Sequence, residues 1–258
     1  MKIWIMSGAG NDFAVLDARD AHLEFPALAA ELCETYGTDG LLAVDHSKIA
    51  DFRLHFYNPD GLRGEMCGNG ARCVCKFAFD NGIAGETMTV QTDAGLVYGQ
   101  RLAENHYRVR LNNPGLVDLC RRPDTAYIEL GDPGIPHSVT ECPSLQWSDR
   151  ENLLPLFLDL RRDPVFPKGV NVNLFRQLSA DTARILTFER GVEDFTLACG
   201  TGSASVAVAL YLQGRLPGGH LTVENPGGML EISLEGDGKS VSALYLEGPA
   251  ETLACYEI

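Results

Sequence analysis

The feature that most constrains the fold of this chain is an internal duplication. When the sequence is shifted by 132 positions, residues 51–82 align with residues 183–214 without a gap. The segment Cys67-Gly68-Asn69-Gly70 then falls on Cys199-Gly200-Thr201-Gly202. Self-similarity at a fixed offset indicates two copies of one supersecondary unit. We therefore expect two lobes of similar fold, each carrying one Cys-Gly-x-Gly segment.

Each copy predicts the same order of strand, turn and helix. Residues 52–57 alternate between apolar and polar side chains, which is the period of a half-buried strand. The segments 71–81 and 203–213 are largely apolar, contain no proline and span about three helical turns. Each is followed by a glycine, Gly82 or Gly214, a residue that commonly terminates helices. Because the two segments are apolar nearly all round, we expect buried helices.

Short β-rich runs surround both predicted helices. The fold class that follows is α+β, with two pseudo-symmetric lobes, each a curved and mostly antiparallel sheet wrapped round a central helix. We place the N-terminal lobe at residues 1–112 and the C-terminal lobe at residues 113–249, with residues 113–122 crossing between them.

Composition and charge exclude several classes of protein. Hydrophobic residues make up 45% and charged residues 22% of the 258 residues, which predicts a packed globular core. No stretch approaches the roughly 20 apolar residues of a membrane-spanning helix, so no membrane partner is expected. The net charge of −14, without a basic cluster, argues against nucleic-acid binding. The first apolar run is too short for a secretory signal, so we expect a cytoplasmic protein.

The chain has eight cysteines, which a cytoplasmic protein uses as core residues, metal ligands or catalytic groups. No Cys-x-x-Cys pair occurs, and the spacing of Cys67, Cys73 and Cys75 is unlike that of a zinc site. We therefore expect no metal. A single buried cysteine is usually a small core residue, and we interpret six of the eight in this way: Cys33, Cys73, Cys75, Cys120, Cys142 and Cys255.

Cys67 and Cys199 differ from the others because each precedes a predicted helix and is followed by glycine. The first N–H groups of a helix have no partner within it and carry a partial positive charge. This setting favours the thiolate, so we expect a thiol pKa below its ordinary value of about 8.5. The same N–H groups can hold a carboxylate, and glycine lets a ligand come close.

Two such thiols suit one class of reaction. If the duplicated lobes face each other, one cysteine can remove a proton from a carbon while the other returns a proton to the opposite face. Removal of the α-proton of an amino acid requires stabilisation of the charge that develops on its carboxylate. The pattern therefore predicts an amino-acid epimerase that uses a thiolate base and a thiol acid, without pyridoxal phosphate or another cofactor.

Other interpretations remain open on these residues alone. Two thiols of low pKa in contact could cycle through a disulfide, and the same segments could bind a carboxylate without turnover. A phosphate-binding loop is disfavoured, because neither Gly8-Ala9-Gly10 nor Gly200-Thr201-Gly202 completes the pattern G-x-G-x-x-G.

Ten sequence blocks are spread over the whole chain: Ser7–Phe13, Gly37–Gly40, Tyr57–Gly61, Met66–Cys73, Gly134–His137, Val170–Asn171, Glu189–Gly191, Leu197–Gly202, Pro226–Gly228 and Gly248–Ala250. In these blocks the chain resembles the diaminopimelate epimerase family. The resemblance implies a cofactor-free enzyme that interconverts LL- and meso-diaminopimelate for the synthesis of lysine and peptidoglycan precursors. It also implies a hinged two-lobe fold in which a C-terminal strand, at about residues 250–258, returns to the first lobe.

The resemblance assigns roles to residues by position. Cys67 and Cys199 match the acid–base pair, and His137 matches an ordering group close to the thiols. The remaining positions match groups that bind the substrate: Gly68, Asn69, Gly200 and Thr201 at the α-carboxylate, Glu189 at the α-ammonium, and Asn11, Asn58, Asn171 and Arg190 at the distal end. Simpler alternatives are turn formation by Asn11 and Asn58 and a surface ion pair between Glu189 and Arg190.

The chain departs from the family pattern at three positions. Ile135 stands where some members carry an asparagine that contacts the distal end, and Gly40 stands where some carry a glutamine near the entry. The resemblance also implies a homodimer, although Ala254 stands in place of a tyrosine that contacts the partner there. A racemase of another amino acid, such as histidine, is the alternative within this fold.

Overall fold

The computed structural model describes residues 1–21, 23–64 and 67–257 of the chain. Met66 of the first cysteine block and Ile258, the last residue of the expected C-terminal strand, lie outside the described residues. The chain forms two compact units. Unit 1 contains Met1–Arg110 and Glu247–Ile258, and unit 2 contains Leu111–Leu246.

The elements follow the same alternation of strands and helices in both units. Unit 1 contains β1 (Lys2–Gly8), β2 (Asn11–Asp17), α1 (Phe25–Tyr36), β3 (Gly40–Asp45), β4 (Phe52–Tyr57), β5 (Arg63–Gly64), α2 (Gly68–Asp80), β6 (Thr87–Thr92), β7 (Gly95–Ala103) and β8 (His106–Arg110). Unit 2 contains β9 (Pro114–Arg122), β10 (Thr125–Gly131), β11 (Gly134–Glu141), α3 (Arg150–Arg162), β12 (Asn171–Gln177), β13 (Thr182–Glu189), β14 (Asp194–Thr196), α4 (Gly200–Leu212), β15 (His220–Asn225) and β16 (Gly228–Gly236). The division between the units falls inside β17 (Val241–Pro249), and β18 (Glu251–Glu257) belongs to unit 1.

The sheet of unit 1 contains the strand order β18-β1-β2-β3-β4-β6-β7-β8. The pairs β2–β3 and β4–β6 are parallel, and the other neighbours in this order are antiparallel. Parallel neighbours need a crossover connection, and α1 and α2 supply these two crossovers. Helix α2 packs against β1, β2, β3, β7 and β8, so the sheet surrounds it.

The sheet of unit 2 contains the order β9-β10-β11-β12-β13-β15-β16. Here the parallel pairs are β11–β12 and β13–β15, and their crossovers contain α3 and α4. Helix α4 packs against β10, β11, β12, β15 and β16. Each unit is therefore a mostly antiparallel sheet around one central helix, and the predicted fold class is confirmed.

The element bounds reproduce the sequence duplication. Helix α4 begins and ends 132 positions after α2, at Gly200 and Leu212 instead of Gly68 and Asp80. Strands β15 and β16 begin and end 133 positions after β6 and β7. Both helices begin three residues before the predicted starts at 71 and 203, so the first Gly of each Cys-Gly-x-Gly segment is already helical.

The two central helices are buried along most of their length. Each is followed by a glycine in the left-handed region, with φ 66° at Gly82 and φ 73° at Gly214. A residue in this left-handed conformation ends a helix, and glycine adopts it readily because it has no Cβ. Within the part of the chain that the structure describes, no helix has both the length and the apolar character needed to cross a bilayer.

The segment predicted to cross between the lobes, residues 113–122, has regular structure over most of its length. It forms strand β9, which pairs antiparallel with β10 through partners such as Asp118 and Tyr127. Much of β9 is exposed, so its alternation of apolar and polar side chains is weak. Hydrogen bonding to β10 makes this segment a strand of unit 2.

Candidate active site

Cys67 and Cys199 occupy equivalent positions in the two units. Each has an extended backbone, with φ −128° and ψ 123° for Cys67 and φ −115° and ψ 106° for Cys199. Each is the last residue before its buried helix, where backbone N–H groups have no partner within the helix. Cys67 is half-buried, whereas Cys199 is buried. Each unit therefore presents one thiol at the N-terminus of its central helix.

The environment of Cys199 raises the pKa of its thiol well above the usual value. Burial is the largest cause, and the negative charge of Glu189 adds to it. The backbone N–H of Gly202 donates to Sγ over 3.3 Å and the hydroxyl of Thr201 lies 3.5 Å from Sγ, and both contacts lower the pKa. The expectation of a lowered pKa is therefore wrong for Cys199. The helix N-terminus acts in the predicted direction, but desolvation of the thiolate outweighs it.

Glu189 and Arg190 end strand β13 and begin the turn after it, and their side chains use different partners. Glu189 Oε1 accepts a hydrogen bond of 2.8 Å from the hydroxyl of Thr196 on the paired strand β14. Arg190 Nη1 donates to the carbonyl oxygen of Lys168 over 2.7 Å. The carboxylate of Glu189 is thus held beside Cys199, while the exposed guanidinium of Arg190 is tied to a different loop.

His137 and Asn171 are brought together by the parallel pairing of β11 with β12, in which they are register partners. Asn171 Nδ2 donates to the carbonyl oxygen of Pro136 over 3.2 Å, and its Oδ1 accepts 2.9 Å from the backbone N–H of Arg190. Asn171 therefore connects the strand that carries His137 to the turn that carries Arg190.

The imidazole of His137 is fully buried, and burial lowers its pKa to about 3, with a further contribution from the charge of Arg190. Near neutral pH the ring is therefore uncharged. Its Nδ1 lies 3.2 Å from Nδ2 of Asn173. Among the described residues its Nε2 has no hydrogen-bond partner. Buried polar atoms are normally paired, so Nε2 is a candidate contact for a ligand.

Asn173 sets the tautomer of His137. Its Nδ2 also faces the carbonyl oxygens of Ser138 and Asn171, at 2.9 Å and 3.2 Å, so this atom must be the amide nitrogen. Its two N–H groups are shared among these two oxygens and Nδ1 of His137. Its Oδ1 accepts 3.0 Å from the hydroxyl of Thr187. Because an amide nitrogen only donates, Nδ1 of His137 accepts and the proton of the neutral ring is on Nε2.

In unit 1, Asn11 and Asn69 are joined by a hydrogen bond. Asn11 follows a two-residue turn in which Ala9 and Gly10 both have positive φ, 57° and 86°, as tight hairpins require. Asn69 in the first turn of α2 donates from Nδ2 to Oδ1 of Asn11 over 2.6 Å. Gly8 permits this approach, because a Cβ there would lie 2.8 Å from the backbone oxygen of Asn69.

Charged groups lie at both ends of this amide pair. Asp39 Oδ2 accepts from Nδ2 of Asn11 over 3.1 Å, and Arg72 Nη2 donates to Oδ1 of Asn69 over 3.0 Å. Arg72 is fully buried, and burial lowers its pKa to about 10. A negative charge on Cys73 or Cys67, in the thiolate form, acts in the opposite direction and raises the pKa of Arg72.

Asn58 forms the turn after β4. Its backbone N–H donates to the carbonyl oxygen of Leu62 over 2.8 Å, and its own carbonyl oxygen accepts from Gly61 over 2.9 Å. These bonds support the turn role of Asn58, and its side-chain role stays a prediction.

The departure at Gly40 has a local structural basis. A Cβ at Gly40 would lie 2.8 Å from the backbone oxygen of Tyr57, so a side chain as long as glutamine does not fit here. Ile135 is 38% exposed, on the same strand as His137. The third position, Ala254, lies on β18.

Cys33, Cys73 and Cys75 are buried, as the core interpretation predicts. That interpretation is wrong for Cys120 and Cys255, which are exposed, and Cys142 is half-buried. Burial raises the thiol pKa of Cys73 and of Cys75 to about 12, so both are neutral and unreactive at ordinary pH.

Several residues in these networks were not singled out by the sequence analysis: Asp39, Arg72, Asn173, Thr187 and Thr196. Asn173 was detectable, because residues two apart on a strand share a face and Asn171 was already a candidate. Arg72 is a charged residue inside a helix predicted to be buried. Thr187 and Thr196 carry no such signal, because only strand pairing brings them to Asn173 and Glu189.

Comparisons with solved structures identify the fold. The chain aligns over its full length with a PhzF-family phenazine biosynthesis protein of Bacillus anthracis, covering 98% of that protein at 14% identity and a TM-score of 0.74. A hydroxyproline epimerase of Agrobacterium vitis is also similar over the full chain and 90% of its own length, at 15% identity and a TM-score of 0.70. At these identities the similarity concerns the fold alone.

Sequence relatives identify the family. The diaminopimelate epimerase family profile matches residues 3–117 and 132–253. The diaminopimelate epimerase of Archaeoglobus fulgidus is 34% identical, and the alignment covers 90% of this chain and 89% of that protein. The one from Methanocella arvoryzae is 35% identical, and the alignment covers 98% of this chain and 95% of that protein. This chain therefore belongs to the diaminopimelate epimerase family, and with it to the isomerases.

Proposed function

We propose that this protein interconverts LL- and meso-diaminopimelate without a cofactor. The observation that carries the proposal is the repeated placement of a thiol, Cys67 or Cys199, at the N-terminus of a buried helix in each unit. Family membership supports this substrate, since the relatives compared above are diaminopimelate epimerases.

In the proposed reaction each unit supplies one thiol. A thiolate takes the α-proton and becomes a thiol, while the second thiol gives its proton to the opposite face of the carbon and becomes a thiolate. The charge that develops on the α-carboxylate needs donors, and we assign this role to Gly68, Asn69, Gly200 and Thr201. These residues form the first turns of α2 and α4.

The surroundings of the two cysteines suggest their starting protonation states. Arg72 is a buried cation whose charge interacts with that of Cys67 in its thiolate form. Cys199 is buried beside the carboxylate of Glu189, which favours the neutral thiol. We therefore propose that Cys67 starts as the base and Cys199 as the acid.

The other predicted site residues are assigned to substrate binding according to the chemistry of their side chains. We assign Glu189 to the α-ammonium group, since its carboxylate lies beside Cys199. His137 can donate a hydrogen bond from Nε2 to a bound ligand. Distal binding is assigned to Asn11, Asn58, Asn171 and Arg190, because a guanidinium can hold a carboxylate in bidentate fashion.

Exchange of the α-hydrogen with deuterium oxide tests the proposal. Diaminopimelate should lose its α-hydrogen in the parent protein, and both Cys67→Ser and Cys199→Ser should abolish epimerisation. Histidine, proline and glutamate serve as comparison substrates, because Gly40 and Ile135 alter positions assigned to the entry and the distal end. Exchange of one of these amino acids alone would favour a different racemase, and no exchange in the parent would indicate a binding or redox protein.

We also propose that the protein is a cytoplasmic homodimer. The presence of eight thiols, including the exposed Cys120 and Cys255, suits a reducing compartment. On β18, Leu253 and Tyr256 are 53% and 44% exposed and offer apolar surface for a partner. Light scattering of the purified protein measures its mass, and a monomer at micromolar concentration would contradict the dimer.

A further inference from the structure

We propose that Asp39 is a positioning residue that holds the amide of Asn11 in a single orientation for substrate binding. Asp39 lies in the block Gly37–Gly40, and the sequence assigned Asp39 itself no role. The inference rests on the proposed function, since it requires Asn11 to contact the substrate.

The hydrogen-bond chain begins at the Asp39 carboxylate. Oδ2 accepts from Nδ2 of Asn11 over 3.1 Å and from the backbone N–H of Asp12 over 3.0 Å. The backbone N–H of Asp39 donates in return to the carbonyl oxygen of Asp12 over 2.7 Å. The loop before β3 is thus tied at two points to the start of β2, next to Asn11.

Asp39 and Arg72, at the two ends of this hydrogen-bond chain, require compatible orientations of the Asn11 and Asn69 amides. An ionised carboxylate only accepts, so the Asn11 atom that faces Asp39 must be the nitrogen and the atom that faces Asn69 the oxygen. A guanidinium only donates, so the Asn69 atom that faces Arg72 must be the oxygen and the atom that faces Asn11 the nitrogen. The two assignments agree at the bond of 2.6 Å between Asn69 and Asn11.

This orientation determines what Asn11 can offer a ligand. One N–H of Asn11 is used by Asp39, and Oδ1 accepts from Asn69. The second N–H is left for another partner, and that donor suits a carboxylate oxygen rather than an ammonium group. Asp39 therefore fixes the direction in which Asn11 presents this N–H to the substrate.

The two ends of this hydrogen-bond chain differ in burial, since Arg72 is buried and Asp39 is exposed. Arg72 is fully buried and also donates to the backbone oxygens of Pro249 and Gly68, over 3.3 Å and 3.5 Å. A substitution at Arg72 would leave buried groups unpaired and threaten folding. Asp39 lies at the surface, so its variants are expected to fold and can report on binding.

Asp51 provides a matched control. Like Asp39 it is exposed, and its Oδ2 accepts one backbone N–H and one side-chain donor, both from Thr89, over 2.6 Å and 2.8 Å. Its own backbone N–H also donates to the carbonyl oxygen of that residue, over 3.1 Å. It differs from Asp39 in holding no residue assigned to the substrate.

The experiment compares Asp39→Ala, Asp39→Asn and Asp51→Ala by steady-state kinetics with diaminopimelate and by thermal melting. Loss of one exposed hydrogen bond corresponds to a rise in KM of about three- to tenfold in Asp39→Ala, with kcat changing by less than about twofold. Asp39→Asn should stay within about twofold of the parent, because an amide oxygen can accept both bonds. Asp51→Ala should leave both constants unchanged.

The possible results separate the two proposals. A parent protein that does not exchange diaminopimelate contradicts the proposed function, and with it this inference. An active parent whose Asp39→Ala and Asp51→Ala variants share the same KM overturns the inference alone. Asp39→Asn as weak as Asp39→Ala would overturn it as well, since the effect would then come from charge and not from an oriented amide.

Discussion

A Cβ on Gly202 would overlap with the side-chain oxygen of Asn173. This close approach joins the first turn of α4 to strand β12, two residues from Asn171. The same turn donates the Gly202 N–H to the sulfur of Cys199. Asn173 therefore lies between the thiol-bearing helix and His137, and it couples their positions.

Replacement of Gly202 by alanine is expected to damage unit 2 through this overlap. Asn173 is held by several hydrogen bonds and cannot yield, so overpacking should cost about 1–3 kcal/mol of unfolding free energy, and epimerase activity should fall at least tenfold. Gly70, the equivalent residue in unit 1, is the control, because a Cβ there would meet only flexible side chains, the nearest being Leu42 at 3.2 Å. Urea denaturation measures both variants, and equal stability would refute the close approach.

Asn173→Asp is expected to change the protonation of His137. The new carboxylate would face Nδ1, and its negative charge would favour a proton on that atom. Nitrogen-15 chemical shifts of the His137 ring report this directly, with His137→Gln used for assignment. The parent should show an unprotonated Nδ1 and a protonated Nε2 near pH 7. A parent ring protonated on Nδ1 would contradict the assigned role of Asn173.

The buried imidazole of His137 predicts a pH dependence of stability. Its pKa is about 3 in the folded protein, against an ordinary value of 6.5, so the unfolded chain binds a proton that the folded protein does not. Between about pH 6 and pH 4, unfolding free energy should therefore fall by about 1.4 kcal/mol for each unit that the pH decreases. Other groups contribute in the same range, so the measurement is the difference between the parent and His137→Gln. Parallel stability curves for the two proteins would show that His137 is not buried in its neutral form.

Glu189→Gln is expected to lower the pKa of Cys199, because the charge of Glu189 is one of the causes that raise it. Alkylation of Cys199 by iodoacetamide at pH 8, followed by peptide mass spectrometry, should become about two- to tenfold faster, since the thiolate is the reactive form. Glu193→Gln, which changes an exposed carboxylate of the same turn, should leave the rate unchanged. Equal rates in the parent and Glu189→Gln would place Glu189 too far from the sulfur to affect it.

Much of the fold was predictable because its signals are local. The duplication located α2 and α4, and the left-handed glycines Gly82 and Gly214 marked their ends. The position of each cysteine before its helix followed from the same segments. Strand β9 was missed, because its exposure leaves little periodicity to detect and its pairing with β10 is a tertiary contact.

The sequence by itself determined the duplicated α+β fold, the family and the two thiols at helix N-termini, since periodicity, glycine placement and short motifs are properties of neighbouring residues. Only the tertiary structure decided the state of these groups. Burial reversed the expected pKa shift of Cys199, strand pairing joined His137 to Asn173, and distant loops joined Asp39 to Asn11. Burial sets the charge of a side chain, and partners far apart in sequence set the orientation of an amide. Neighbouring residues in the sequence predict neither of these effects.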